Sequence, residues 1–366
     1  MRHSNLKERA KLNYLAFVKF LAMIFIIKWH YYPWKKKKIN YGSRMCELLF
    51  VSSGFLVGYN YYKKDVPDNF TYSFKYIYKH LRTFYPLNLI NIIFGAYYTK
   101  KKYNKRHIDI DIFIIKVLLL DSWTRYDNKV YLYQGIAWFL SSLLFCYFLT
   151  PFLLKGIKKI KTSIIIFINV ALIRIEIEEH IKKMSINLLD VHLHRGPVIR
   201  CMEFYLGMLI IPSFFKLKTY LDEIKDKYLI KILFSIIQIT AIIIIYYLMI
   251  EYNNILLRCY FVLFFCVFIF VIGFDYGYLS NVISNNIFKF ILSCQMEMYL
   301  FQSTINKIII NNKIDKKLKF LNNTEIEFNI NLIIVFIVSF VYKSLFKQNL
   351  AKVMDLIVKI IKKIIK

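Results

Sequence analysis

A chain of 366 residues that is 58% hydrophobic and 18% aromatic, with a mean hydropathy of +0.44, holds more apolar surface than one soluble core can bury. That excludes a water-soluble globular domain. The formal charge of +29 would suit nucleic acid, but lysine and arginine stand mainly between apolar runs, where they meet lipid headgroups, so the expected partner is the bilayer and not nucleic acid.

Runs near 20 apolar residues cross a bilayer as helices, because the backbone must satisfy its own hydrogen bonds there. The pattern predicts an all-α, polytopic integral membrane protein with about ten transmembrane helices. They fall at residues 12–29, 46–61, 84–98, 135–154, 163–175, 198–214, 229–250, 255–274, 287–310 and 329–346. The run 163–175 is short for a full crossing. The run 108–120, interrupted by Asp111 and Lys116, reads as an interfacial helix or as an extra span that would invert everything after it. An N-in, C-in count puts the lysine-rich stretches 155–161, 216–231 and the C-terminal tail on the cytoplasmic side, and 35–38 and 100–106 on the other. The expected location is the cell membrane, multi-pass, with both termini cytoplasmic.

Two parts are expected: a membrane domain over 1–346 and an amphipathic C-terminal tail over 347–366. In the tail Lys352, Asp355, Lys359, Lys362 and Lys366 share one helical face, and Leu350, Val353, Met354, Ile357, Ile360, Ile361 and Ile364 take the other. Such a helix either lies on an anionic membrane surface or packs on the membrane domain. The six cysteines lie within or beside apolar runs with no CxxC pair, as buried small hydrophobes rather than metal ligands or a disulfide framework. The first run lacks a small-residue cleavage pattern and continues into Trp29 and His30, so it should remain as a helix.

Ionisable groups inside apolar helices are the best pointers to function. Lys19 and His30 are eleven positions apart, roughly 1100° of helical turn, within about 20° of three full turns. They share one face about 16 Å apart along the axis. Lys19 either snorkels to headgroups, with His30 interfacial, or both line a wet interior. Glu47 opens an apolar helix in which Ser52, Ser53 and Gly54 suit either close helix packing or a substrate. Lys75, Lys79 and Arg82 share a face before a span, as a positive-inside flank or as a phosphate site. Further candidates are Trp138 with Ser141 and Ser142, Arg195 with Glu203, and Tyr299 beside Glu297, for which Arg195 or Arg82 is the expected partner.

The order of these features resembles the acyltransferase-3 family of bacterial integral-membrane O-acyltransferases over most of residues 12–310. Lys19 and His30 match a basic residue and a histidine separated by ten positions in the first span. Glu47-Leu-Leu-Phe-Val-Ser-Ser-Gly-Phe-Leu56 matches an E-L-F-F-x-x-S-G-F-L type segment. Lys79, Arg82 and Pro86 match paired basic residues before a proline, with one extra position before Pro86. Trp138, Ser141, Tyr147 and Pro151, then Arg195, Gly196, Phe204 and Gly207, then Ser293 and Tyr299, match three later helices. Lysine replaces the commoner arginine at 19 and 79, and Gln302 stands where many relatives carry histidine.

The resemblance implies transfer of a short acyl group, acetyl from acetyl-CoA, to a hydroxyl of a cell-surface carbohydrate or lipid-linked saccharide at the bacterial cytoplasmic membrane. No metal is implied. His30 is the expected base, because imidazole titrates near working pH. Lys19 would hold an anionic part of the donor, and Lys79 and Arg82 the CoA phosphates. Glu47, Ser53, Trp138, Arg195, Glu203 and Tyr299 are pocket candidates. A polysaccharide flippase or polymerase, an ion-coupled transporter using Glu297 and Glu47, and a purely structural membrane protein are the competing classes.

Overall fold

A computed structural model of the chain describes residues 12–32, 42–103, 109–124, 133–182, 193–224, 227–250, 260–311 and 324–365, and among these every regular element is a helix. The central pillar is α1 (Asn13–Tyr31). Its own N-terminal flank supplies no side-chain cap. Instead the first amides, of Asn13 and Tyr14, donate to the two carboxylate oxygens of Asp275 at 3.1 Å each. A carboxylate there answers both the orphan N–H groups and the positive end of the helix dipole. The Tyr14 hydroxyl donates to the Gln238 carbonyl at 2.6 Å, and Gln295 Nε2 donates to the Ala16 carbonyl at 2.7 Å.

Around this pillar the chain adds α2 (Gly42–Tyr61), α3 (Phe70–Tyr103), α4 (Ile110–Val117), α5 (Trp138–Leu153) and α6 (Ile160–Lys182). It continues with α7 (Pro197–Leu209), α8 (Ile211–Glu223), α9 (Lys227–Ile250), α10 (Phe261–Ile272) and α11 (Tyr278–Ile283). Last come α12 (Asn286–Leu292), α13 (Gln295–Asn311), α14 (Thr324–Val341) and α15 (Lys347–Ile365), the final two joined by a π turn at Tyr342–Phe346.

Five helical stretches among the described residues are long and apolar enough to cross a membrane: Asn13–Tyr31, Trp138–Ile157, Pro197–Glu223, Lys227–Ile244 and Glu325–Ile360. Among the described residues the expected count of about ten is not confirmed. The helices α2, α3 and α6 are long enough, at 20, 34 and 23 residues, but carry the charged and polar side chains described below. Within the expected run 108–120 the described residues form α4, whose eight residues extend only about 12 Å and cannot cross a bilayer. Its Lys116 is buried in an ion pair with Asp121 and donates to the Gln134 carbonyl at 2.9 Å. The expected span 287–310 is broken between α12 and α13, and irregular backbone at such depth is tolerated where it lines a cavity. The tail forms a helix, as expected, and lies against α3.

The tightest helix pair is α2 on α7. A Cβ at Gly54 would sit 1.7 Å from the Phe204 carbonyl oxygen, and one at Gly207 only 2.0 Å from that of Val51. Both obstacles are backbone, so neither can swing aside. Small residues allow this approach, which is the packing reading of the Ser-Ser-Gly segment. Gly207→Val should therefore destabilise the fold by about 1–3 kcal/mol, the usual cost of overpacking. Unfolding of the purified full-length protein in detergent reads it, and unchanged stability would exclude the close crossing.

Candidate active site

Lys19 projects from α1 and its ammonium donates to Ser53 Oγ on α2 at 3.5 Å. Both residues stand where two cavities meet. One, of about 370 Å³, is basic: Lys19, Lys64, Lys79 and His80 line it with Asn60 and Tyr76. The other, of about 240 Å³, is more apolar, walled by Met23, Leu49, Phe139 and Tyr299 and by the break between α12 and α13, where Leu292, Ser293 and Gln295 face it. Lys19, Ser53 and Tyr147 line both. A third cavity of about 230 Å³ continues from the basic one through their common residues Tyr61 and Lys64 to Lys63, Lys155 and Lys158. There the hydrogen bond from Lys155 holds the Asp68 carboxyl below the usual carboxylate range.

His30 lies two turns along α1 from the wall residue Met23, and its Nδ1 is 3.2 Å from Gln302 Oε1 on α13. Its ring packs at 4.8 Å against Trp29, whose other neighbour at 5.5 Å is His194. Trp138, at the start of α5, packs on His194 at 4.5 Å. His194 Nδ1 is buried with no hydrogen-bond partner among the described residues. Two imidazoles and two indoles thus form one cluster above the apolar cavity.

The remaining sequence candidates separate. Tyr299 lines the apolar cavity and its hydroxyl donates to the Ile136 carbonyl at 3.0 Å. Lys79 lines the basic cavity, but Arg82, one turn on, pairs with Asp355 of α15 at 2.9 Å, and Tyr78 donates to the same carboxylate at 2.6 Å. Arg195 is buried, and its carbonyl accepts from Ser142 Oγ at 2.9 Å. Glu297 pairs with Lys347 at 2.5 Å, which corrects the expectation of Arg195 or Arg82 as its partner.

Glu47 and Glu203 belong to a buried array in the core between α2, α6 and α7. Arg44 meets Glu47 and lies 3.8 Å from Glu178. Arg174 meets Glu178, lies 3.0 Å from Glu203 and 3.9 Å from Glu47. Arg200 closes on Glu203 at 2.5 Å and donates to the carbonyls of His194 at 2.8 Å and Leu193 at 3.0 Å. Three guanidiniums and three carboxylates cancel formally, all of them nearly inaccessible. Through Arg200 the array also braces the turn that carries His194.

Sequence reasoning missed Arg44, Arg174, Glu178, Arg200, Lys64, His80 and His194. The i, i+4 spacing of Arg174 and Glu178 in an otherwise apolar run was the available signal for the array. Nothing local marked Lys64 or His80, which reach the basic cavity from separate segments, Lys64 just past the end of α2 and His80 on α3.

Described residues that are all-helical in their regular elements, with several apolar spans, a basic cavity opening onto an apolar one, and an imidazole held beyond it, have the make-up of a membrane acyltransferase. The acyltransferase domain model of the acyltransferase-3 family matches residues 12–344, nearly the whole chain, and the chain belongs to this family. No curated protein and no solved structure matches it.

Removing one member of a buried charge array leaves its partners uncompensated. Arg174→Met should cost about 3–5 kcal/mol, and Arg174→Met with Glu178→Met substantially less, because the pair leaves together. Equal losses in single and double variants, measured by unfolding in detergent, would refute the coupling.

Proposed function

We propose that the protein transfers a small acyl group, acetyl in the simplest case, from acyl-CoA to a hydroxyl of a carbohydrate or lipid-linked saccharide at the bacterial cytoplasmic membrane, with both termini on the cytoplasmic side. The observation that carries this is the position of Lys19. It stands at the junction of a lysine-lined cavity and an apolar one, on the helix that also carries His30. An acyl-CoA is itself two-ended, polyanionic at the nucleotide and weakly polar along the pantetheine arm. Lys79 and Lys64 act as point charges for the phosphates, and Lys19 marks where the arm leaves them.

An alcohol attacks a thioester slowly unless its proton is removed as the new bond forms. His30 takes that proton. Its imidazole is held by Gln302 at Nδ1 and packs, tilted, against Trp29. The acyl carbon then passes from sulfur to the acceptor oxygen, and the thiolate recovers the proton as CoA thiol. Arg82 is withdrawn from the donor by Asp355, so the phosphate role assigned to it passes to Lys64. Glu47 and Glu203 serve to neutralise arginines. The acidic residues an ion-coupled transporter would use, Glu47 and Glu297, are engaged by Arg44 and Lys347, which argues against that class.

Membranes supplied with radiolabelled acetyl-CoA and candidate glycans test the reading. His30→Ala should reduce label on the glycan by about 10²–10⁴-fold, and donor-dependent label that survives it removes the base assignment. Lys79→Ala should raise the KM for acetyl-CoA about tenfold or more, as loss of a charged hydrogen bond does, while Arg82→Ala leaves it within about twofold. The reverse order would return the phosphate role to Arg82.

A further inference from the structure

Gln302 is fully buried on α13, one turn beyond Tyr299, with its amide oxygen 3.2 Å from His30 Nδ1. An amide oxygen only accepts, so the atom facing it must bear the hydrogen. Neutral imidazole carries a single N–H, and a hydrogen bond at one nitrogen therefore decides the state of the other. With the hydrogen on Nδ1, Nε2 presents a bare lone pair.

A base can take a hydroxyl proton only through a lone pair directed at it. We infer that Gln302 is a positioning residue: its side-chain oxygen holds His30 in the Nδ1–H tautomer and so makes Nε2 the atom that accepts the acceptor hydroxyl's proton. This rests on the acyl-transfer reading. As the acceptor oxygen bonds to the acyl carbon, its proton moves to Nε2, and the resulting imidazolium still donates from Nδ1 to Gln302. The carbon–sulfur bond then breaks, and the proton on Nε2 goes to the departing sulfur. Thioester and alcohol become ester and thiol, with no other reactant needed. Throughout, Gln302 keeps one partner and one geometry, and it exchanges no proton itself.

Tyr299 and Gln302 lie one turn apart on α13, and Met23 and His30 two turns apart on α1. The two helices approach again at the Gln302–His30 contact, so the ring cannot rotate to offer Nδ1 without losing it.

The test uses the full-length protein in lipid nanodiscs with ¹⁵N-labelled histidine, and the variants Gln302→Leu, which removes the acceptor, and Gln302→Glu, which keeps one. His30 signals are assigned by their loss in His30→Ala. The wild type should show a protonated Nδ1 and a bare Nε2. Gln302→Leu should lose that signature and about 10²-fold or more in kcat, with the KM for acetyl-CoA unchanged, as a wrong tautomer does in other base-assisted transfers. Gln302→Glu should keep the signature and recover at least part of the rate. A wild type protonated on Nε2, or a Gln302→Leu protein with unaltered signature and kcat, overturns the inference while leaving acyl transfer standing. A wild type with the expected signature that labels no glycan supports the tautomer assignment and counts against the acyl-transfer reading instead.

Discussion

Charge inside a membrane protein must be cancelled where it stands, and the core of this chain is organised around that requirement. The array of Arg44, Arg174 and Arg200 with Glu47, Glu178 and Glu203 ties three helices together by groups none of which could remain there alone. Directly beside it the Gly54 and Gly207 backbones touch their neighbours. Polar cancellation and close approach therefore reinforce each other. Arg200 extends this rigidity to the turn bearing His194, and so to Trp138 and Trp29 around the histidine cluster.

The helical nature of the chain and the apolar runs were legible from period and length alone, and the family from the order of a few polar residues. The pairing of helices was not. Glu47 reads in sequence as a plausible pocket residue because only the fold brings Arg174 within 3.9 Å of it, across more than a hundred positions. Arg82 reads as a phosphate ligand because nothing in its own helix foretells Asp355, far away in the tail. Lys19 stands out in sequence as a charge inside an apolar run, yet its neighbour Ser53 and the two cavities it joins depend on how α1 meets α2. Breaks were equally hidden. The segment 287–310 is apolar enough to suggest one rod, but it folds as two helices that part at Ser293 and Cys294, with Ser293 lining a cavity.

Long-range polar bonds also explain why α1 can carry a lysine and a histidine on one stripe. Asp275 caps it, Gln295 anchors its first turn and Gln302 its last, and each contact comes from a segment more than 250 residues away. Both cavities meet this helix at Lys19, and Met23, one turn on, lines the apolar one.

The π turn at Tyr342–Phe346 sets the phase of everything that follows it. Such a turn is an α-helix carrying one surplus residue, which advances the downstream helix by about 100°. Within it Lys343 reaches Ser293, and just past it Lys347 reaches Glu297, whereas twelve residues beyond Lys343 Asp355 must meet Arg82. Excising a single amino acid there would leave composition, hydropathy and charge almost untouched. It would nonetheless swing the terminal rod off its seat, so the register of this one wide loop of backbone, more than any side chain in it, keeps the last helix docked.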